Sequence, residues 1–187
     1  MLHQIELPRI ATARCRLKLL EPHQAEIMTR FRVANRLHLA QWEPTRSIEF
    51  FTSGYWEIQL RRALQDFRQG NSVCLAITDP AETEVFGVCN FTQIVRGTFM
   101  SCHLGYALAQ RYEGQGIMFE ALQASLRYIF EDLRLHRVMA NYMPRNQRSG
   151  ALLQRLGFKI EGHAEKFLKI DGRWEDHVLT SLINPWD

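Results

Sequence analysis

Residues 101–126, SCHLGYALAQRYEGQGIMFEALQASL, constrain the fold more than any other stretch of this chain. Residues 102–108 are short, apolar and aromatic, the pattern of a buried strand. Arg111-Tyr112-Glu113-Gly114-Gln115-Gly116 follows, and then Ile117, Met118, Ala121, Leu122 and Leu126 recur at helical spacing. The predicted order is therefore strand, glycine loop, helix. Such a helix start aims several unpaired N–H groups at one spot, with a partial charge of about +0.5. Glycines at 114 and 116 keep side chains out of an anion's path, so the stretch reads as a phosphate or pyrophosphate cradle.

Two familiar phosphate loops do not fit. A Walker loop requires Gly-Lys-Ser/Thr at the helix start, where this chain has Gly116-Ile117-Met118. A dinucleotide fingerprint requires a third spaced glycine and an acidic residue about 20 positions on; Ala121 and His136-Arg137-Val138 supply neither. What remains is Arg-x-x-Gly-x-Gly at a strand-to-helix turn, or else an ordinary glycine turn. A second unit separates these readings. Residues 136–142 read as a strand, Pro144 breaks it, and Asn146-Gln147-Arg148-Ser149 opens a helix with Leu152, Leu153 and Leu156 along one side. Gly157-Phe158 closes it, Gly157 being a left-handed stop.

Strand, Arg-x-x-Gly-x-Gly, helix, strand, Asn-x-x-Ser, helix, Gly-Phe resembles the site of the GNAT acetyltransferase superfamily. The resemblance implies an α/β (α+β) fold with one mixed, mostly antiparallel sheet flanked by helices. It implies acetyl-CoA as co-substrate, held by Leu104, Tyr106 and Leu108 on the strand, by Arg111, Tyr112, Glu113, Gly114, Gln115, Gly116, Ile117 and Met118 at the loop and helix start, and by Asn146 and Ser149. The last two would face the pantetheine arm and the leaving thiol.

Length and composition agree with one globular domain, residues 1–187, with a sizeable core: 46% of the residues are hydrophobic and 23% charged. No apolar run approaches the ~18 residues that span a bilayer, so no membrane partner is expected. The opening MLHQIELPRI carries an acid and a proline rather than a basic segment followed by an apolar one, so the expected location is cytoplasmic. Cys15, Cys74, Cys89 and Cys102 show no metal spacing, and buried thiols without a metal are expected. A net charge of +3 and a pI near 8.8 permit an acidic or RNA-rich partner without arguing for one, and direct DNA binding is not expected.

Elsewhere the pattern predicts a strand over 14–19, a helix over 22–34 with Ala25, Met28 and Phe31 inward, and fading periodicity over 35–53. A helix over 53–69 follows, with Trp56, Leu60, Ala63, Leu64 and Phe67 on one stripe and Gly70 as its stop. Strands are predicted over 73–77, 85–95 and 99–108. If Arg96-Gly97 is a two-residue turn, Asn90 pairs with His103 and Phe91 with Cys102. Residues 159–164 and 167–170 read as two strands, and Asp171-Gly172 turns into a last strand over 174–183.

Several local strings narrow the resemblance: Leu39-Ala40-Gln41-Trp42-Glu43-Pro44, Ile94-Val95-Arg96-Gly97, Ala140-Asn141-Tyr142-Met143-Pro144 and Ile170-Asp171-Gly172. They are similar to those of bacterial ribosomal-protein-alanine N-acetyltransferases of the RimJ type. That similarity implies an acceptor, the N-terminal alanine of small-subunit ribosomal protein five, and possible ribosome association. Direct transfer requires a proton acceptor, an oxyanion site and a proton for sulfur. Backbone N–H groups beside residues 104–108 are the oxyanion candidates, and Ser149 the acid. Many family members place a tyrosine four residues before the Gly-Phe glycine, and some relatives a carboxylate before the final hairpin. Here those positions are Leu153 and Leu168. Glu43, His103 and Glu161 remain as candidate bases, and Trp42, Glu43, Phe50 and Asn90 as acceptor contacts. Acetylation of another amine, or acyl-CoA binding without catalysis, are the alternative functions.

Overall fold

Both strand–loop–helix units form, and they meet at the middle of one sheet. In the computed structural model, which describes residues 6–187, β1 (Arg9–Ala11) and β2 (Arg16–Lys18) open the chain. Helices α1 (Ala25–Ala34), α2 (Arg36–Ala40) and α3 (Ser53–Arg68) follow, then β3 (Val73–Thr78), β4 (Val85–Val95) and β5 (Ser101–Leu108). Helix α4 (Ile117–Glu131) leads to β6 (Arg137–Tyr142), and α5 (Gln147–Arg155) to the hairpin β7 (Lys159–Ile170) and β8 (Arg173–Ile183). The eight strands form one sheet in the order β1-β2-β3-β4-β5-β6-β8-β7. Its neighbours are antiparallel except β5 and β6, which the crossover through α4 makes parallel. The first five residues of the segment read for a secretory signal lie outside the described residues.

Alternation along the central strands divides the core into two clusters. Leu75, Ile77, Cys89, Phe91, Cys102 and Leu104 join Ala121, Leu122 and Ile129 of α4 and Leu153 of α5. On the other face Ala76 and Val88 meet Ala25, Met28 and Phe31 of α1 and Leu60 of α3. Ala121, Leu122 and Ile129 are fully buried, and burying an aliphatic side chain of Leu or Ile size is worth about 1.5–3 kcal/mol. Packing therefore holds α4, whose N-cap Gly116 makes no side-chain capping bond.

Four details differ from the sequence-based expectation. The 35–53 stretch contains α2 and a 3-10 turn, Ile48–Phe51; α2 is five residues long with Leu39 alone buried, too short to show a period. The β4–β5 register is Asn90 opposite Gly105 and Phe91 opposite Leu104, not His103 and Cys102. Gln93 and Met100 adopt φ of 52° and 44°, and the pairing shifts between Thr92 and Val95. That irregularity and a connection longer than two residues displace the register by two, which preserves every face. The two predicted strands before the last turn are one strand, β7, kinked at Lys166, whose φ is 47° and whose N–H donates to Asp176 Oδ1 at 2.8 Å. Strand β1 is an addition to the predicted elements. The Asp171-Gly172 turn is as predicted, with φ of 46° and 77°.

Candidate active site

Strand β5 pairs with β6 only at Ser101, Cys102 and His103, opposite Arg137, Val138 and Met139. Beyond that point the two strands part, while residues 104–108 stay paired to β4 on their other side. A cleft of about 730 Å³ opens there, lined by Tyr106 and Leu108, by the start of α4, and by Asn146 and Ser149 of α5. At its end Gly114 and Gly116 have φ of 73° and 77°, a conformation costly for any side chain. With Gly116 as the N-cap, the first-turn N–H groups of α4 remain free for an anion. Arg14 braces the loop from behind: its Nη1 donates to Gln115 O at 2.8 Å and its Nε to Glu120 Oε2 at 2.7 Å. The chemistry of this cradle fits a pyrophosphate, and the cleft fits an extended thioester arm.

Asn146 caps α5, its Oδ1 accepting from the Ser149 N–H at 3.2 Å. This turns the Ser149 hydroxyl inward, where its Oγ lies 2.7 Å from the Tyr106 phenol. Burial pushes that phenol up to about 12, against the pull of its Ser149 hydrogen bond, so it is protonated at neutral pH. Two coupled hydroxyls thus stand where the strands part, able to deliver a proton.

A second cavity, of about 690 Å³, lies on the opposite face of the sheet between α1, α3, β3 and β4. Arg32, Arg46, Phe50, Trp56, Asn90 and Thr92 are among its lining residues. Glu43 is bonded from the first space to two residues that line the second. It lines the first cleft, while its Oε1 accepts from Arg32 Nη1 at 2.9 Å and its Oε2 from Arg46 Nε and Nη2 at 3.4 Å. Burial pulls the Arg32 guanidinium below its usual range, opposed by the attraction of Glu43. The start of the loop carrying Glu43 is held at two points: Asp171 N–H donates to Glu43 O at 3.0 Å, and Arg145 donates to Gln41 O at 3.0 Å.

The residues expected from the sequence divide among these places. Tyr106, Leu108, Tyr112, Glu113, Gly114, Gly116, Ile117, Met118, Asn146 and Ser149 line the first cleft. Leu104 is instead a core residue, Arg111 is ion-paired to Glu84, and the Gln115 side chain donates to Arg111 O at 2.7 Å. Glu113 is held by Arg148 and by His38, whose Nε2 is 3.1 Å away. The acceptor candidates separate: Trp42 and Glu43 face the first cleft, Phe50 and Asn90 the second cavity. His103 pairs with Thr92 on the second cavity's face without lining it, and burial lowers its pKa. Glu161 is ion-paired to Arg137. Leu153 is buried and Leu168 half-exposed on the edge strand.

Arg32, Arg46 and the coupling of Tyr106 to Ser149 lie beyond the sequence-based expectations. Arg32 was detectable, because Ala25, Met28 and Arg32 fall on one helical stripe, which puts a cation at a core position. Tyr106 alternates with Leu104 and Leu108, and a buried phenol calls for a partner. Cys15, Cys89 and Cys102 are buried free thiols; Cys74 is free and lines the second cavity. No helix among the described residues is long and apolar enough to cross a membrane.

A family profile described as acetyltransferase (GNAT) domain matches residues 15–159. The [ribosomal protein uS5]-alanine N-acetyltransferase of Escherichia coli (strain K12) is 43% identical over 177 residues, covering 95% of this chain and 91% of that one. The crystal structure of ribosomal-protein-S5-alanine acetyltransferase from Vibrio fischeri superposes with a TM-score of 0.91 at 36% identity, over 95% of this chain and 97% of that one. Mycobacterium smegmatis RimJ in complex with CoA-disulfide superposes with a TM-score of 0.85 at 26% identity, over 95% and 86% respectively.

Proposed function

This chain belongs to the GNAT acetyltransferase family, and from that premise we propose that it transfers an acetyl group from acetyl-CoA to the N-terminal alanine α-amine of a small-subunit ribosomal protein. The observation that carries this reading is the pair of spaces bridged by the Glu43 bonds to Arg32 and Arg46, one ending in an anion cradle and the other walled by aromatic and polar side chains. The likeness to the uS5-alanine enzymes supplies the acceptor. Reaction on a ribosomal protein implies a cytoplasmic enzyme, in reach of the ribosome.

The neutral amine attacks the thioester carbonyl, its N–C bond forms, the C–S bond breaks, and CoA leaves as thiolate. Residues 114–118 hold the pyrophosphate, and backbone N–H groups along the parted edge of β5 stabilise the oxyanion. The Ser149–Tyr106 couple protonates the thiolate. Both oxygens of Glu43 already accept guanidinium N–H bonds, so Glu43 positions the amine, and the proton lost by the attacking nitrogen passes to water in the open cleft. The acceptor eases the demand on any base. An α-amine with pKa near 8 is about one-tenth neutral at pH 7, against roughly one in 2,500 for a lysine, a difference of about 3 kcal/mol. Arginines in the second cavity also disfavour a polycationic acceptor.

The test offers matched peptides starting with Ala, Ser, Leu and acetyl-Ala, the last with an internal lysine. Fast transfer to free Ala and none to the blocked lysine peptide is expected. Equal transfer to the blocked peptide overturns the α-amine reading, and equal rates for Ala and Leu remove the preference for a small first residue.

A further inference from the structure

Two guanidiniums share one carboxylate at the edge of the second cavity. Arg32 reaches Glu43 Oε1 through Nη1, and Arg46 reaches Oε2 through two long bonds. Arg62 and Asp66 also line the cavity. Three cations therefore face two carboxylates, leaving one positive charge unbalanced beside a largely buried wall. Arg32 is 6% exposed and stands against the faces of Phe31, Phe50 and Trp56 at 5.1–5.4 Å. Its Nε is buried with no hydrogen-bond partner. Because Glu43 occupies the Nη1 end, the Nε–Nη2 edge of the guanidinium makes no hydrogen bond within the protein, and a carboxylate can take that edge side-on once the side chains that shield Nε give way. A buried N–H without a partner is costly in a resting fold, which makes it informative about what the site receives.

We propose that Arg32 and Arg46 form an anion-reading subsite, and that it takes an acidic side chain of the acceptor peptide downstream of the reacting amine. This rests on the acceptor being a peptide N-terminus, as proposed above. The cavity is well placed for this role, because Glu43 lines the donor cleft and is bonded to Arg32 and Arg46, which line the cavity. A peptide whose α-amine sits near Glu43 runs its following residues past Phe50 and Trp56 to the free guanidinium edge. The aromatic faces hold the guanidinium plane fixed, and the arriving peptide has only to open a path to Nε.

The experiment uses the full chain with alanine-starting peptides carrying a single Glu at each position from the second to the sixth residue, each matched to its Gln counterpart. Turnover and, independently, calorimetric binding in the presence of CoA are both measured. At one position the Glu peptide should exceed its Gln counterpart by about tenfold in kcat/KM and in affinity, the kinetic gain lying in KM. Arg46→Gln, an exposed position, and Arg32→Gln should each bring that ratio towards one. A ratio near one at every position in the unaltered protein overturns the proposal, as expected if the fork serves a backbone carbonyl. A ratio that persists in a folded Arg32→Gln or Arg46→Gln protein overturns the assignment to these residues. If no free α-amine is acetylated, the functional reading fails, while the binding ratio still decides the subsite.

Discussion

The two spaces on either side of the sheet are built by different means. The donor cleft is made largely of backbone: a parting of β5 from β6, two glycines at positive φ, and a helix start with no side-chain cap. The opposite cavity is made of side chains, with Arg32 from α1, Arg46 from the loop after α2, Phe50 from a 3-10 turn, Trp56 from α3 and Asn90 from β4. A backbone site binds what every acetyl-CoA has in common, its pyrophosphate and thioester arm. A side-chain site can change residue by residue, which is where discrimination among acceptors belongs.

The sharpest way to break this contrast is Gly116→Val. It places a β-branched residue at φ 77°, with its Cβ 3.6 Å from an Arg14 guanidinium nitrogen. Acetyl-CoA affinity by calorimetry should fall on the order of 100-fold, with peptide KM little changed; an unaltered affinity in a folded protein removes the cradle. Next in size, Ser149→Ala and Tyr106→Phe should each lower kcat by ~10- to 100-fold. The double variant should fall little below the worse single one, because the two hydroxyls act as one unit. Independent, multiplying losses would separate them.

On the other face, Asn90→Ala should raise the KM for an alanine peptide by about threefold to tenfold and leave acetyl-CoA affinity within about twofold. An effect on acetyl-CoA instead would mean that the two spaces are not separate sites. The smallest effect concerns stability. Burial lowers the His103 pKa, so the unfolded chain binds the proton more readily. The stabilisation from its neutral form is complete above the unfolded value near 6.5 and is lost as pH falls towards the lower folded value. Melting temperatures between pH 7.5 and 5 should therefore decline less steeply in His103→Asn than in the unaltered protein.

The same division explains what the sequence could show. Residues 111–118 and Asn146-x-x-Ser149 are contiguous words, each tied to one strand–helix junction, so local chemistry reveals them. The second cavity draws on residues as far apart as Arg32 and Asn90, brought together only by sheet order and helix packing. Even there a signal existed in Arg32 on an apolar stripe, as in the first cleft it did in Tyr106 alternating with core leucines. The β4–β5 register was not legible, because positive φ at Gln93 and Met100 is a property of those two non-glycine residues in their context, not of a recognisable turn sequence. Its displacement by two leaves every side chain of the pair on the same face as in the expected register.

The most direct test is a crystal structure with a bisubstrate conjugate, in which the CoA sulfur is joined through an acetyl bridge to the α-amine of an alanine-starting peptide. The pyrophosphate is expected on the N–H groups of residues 114–118, the sulfur beside Ser149 and Tyr106, and the peptide passing Glu43 towards Arg32, Phe50 and Trp56. A peptide leaving over the α4 and α5 face, with the second cavity empty, contradicts the account.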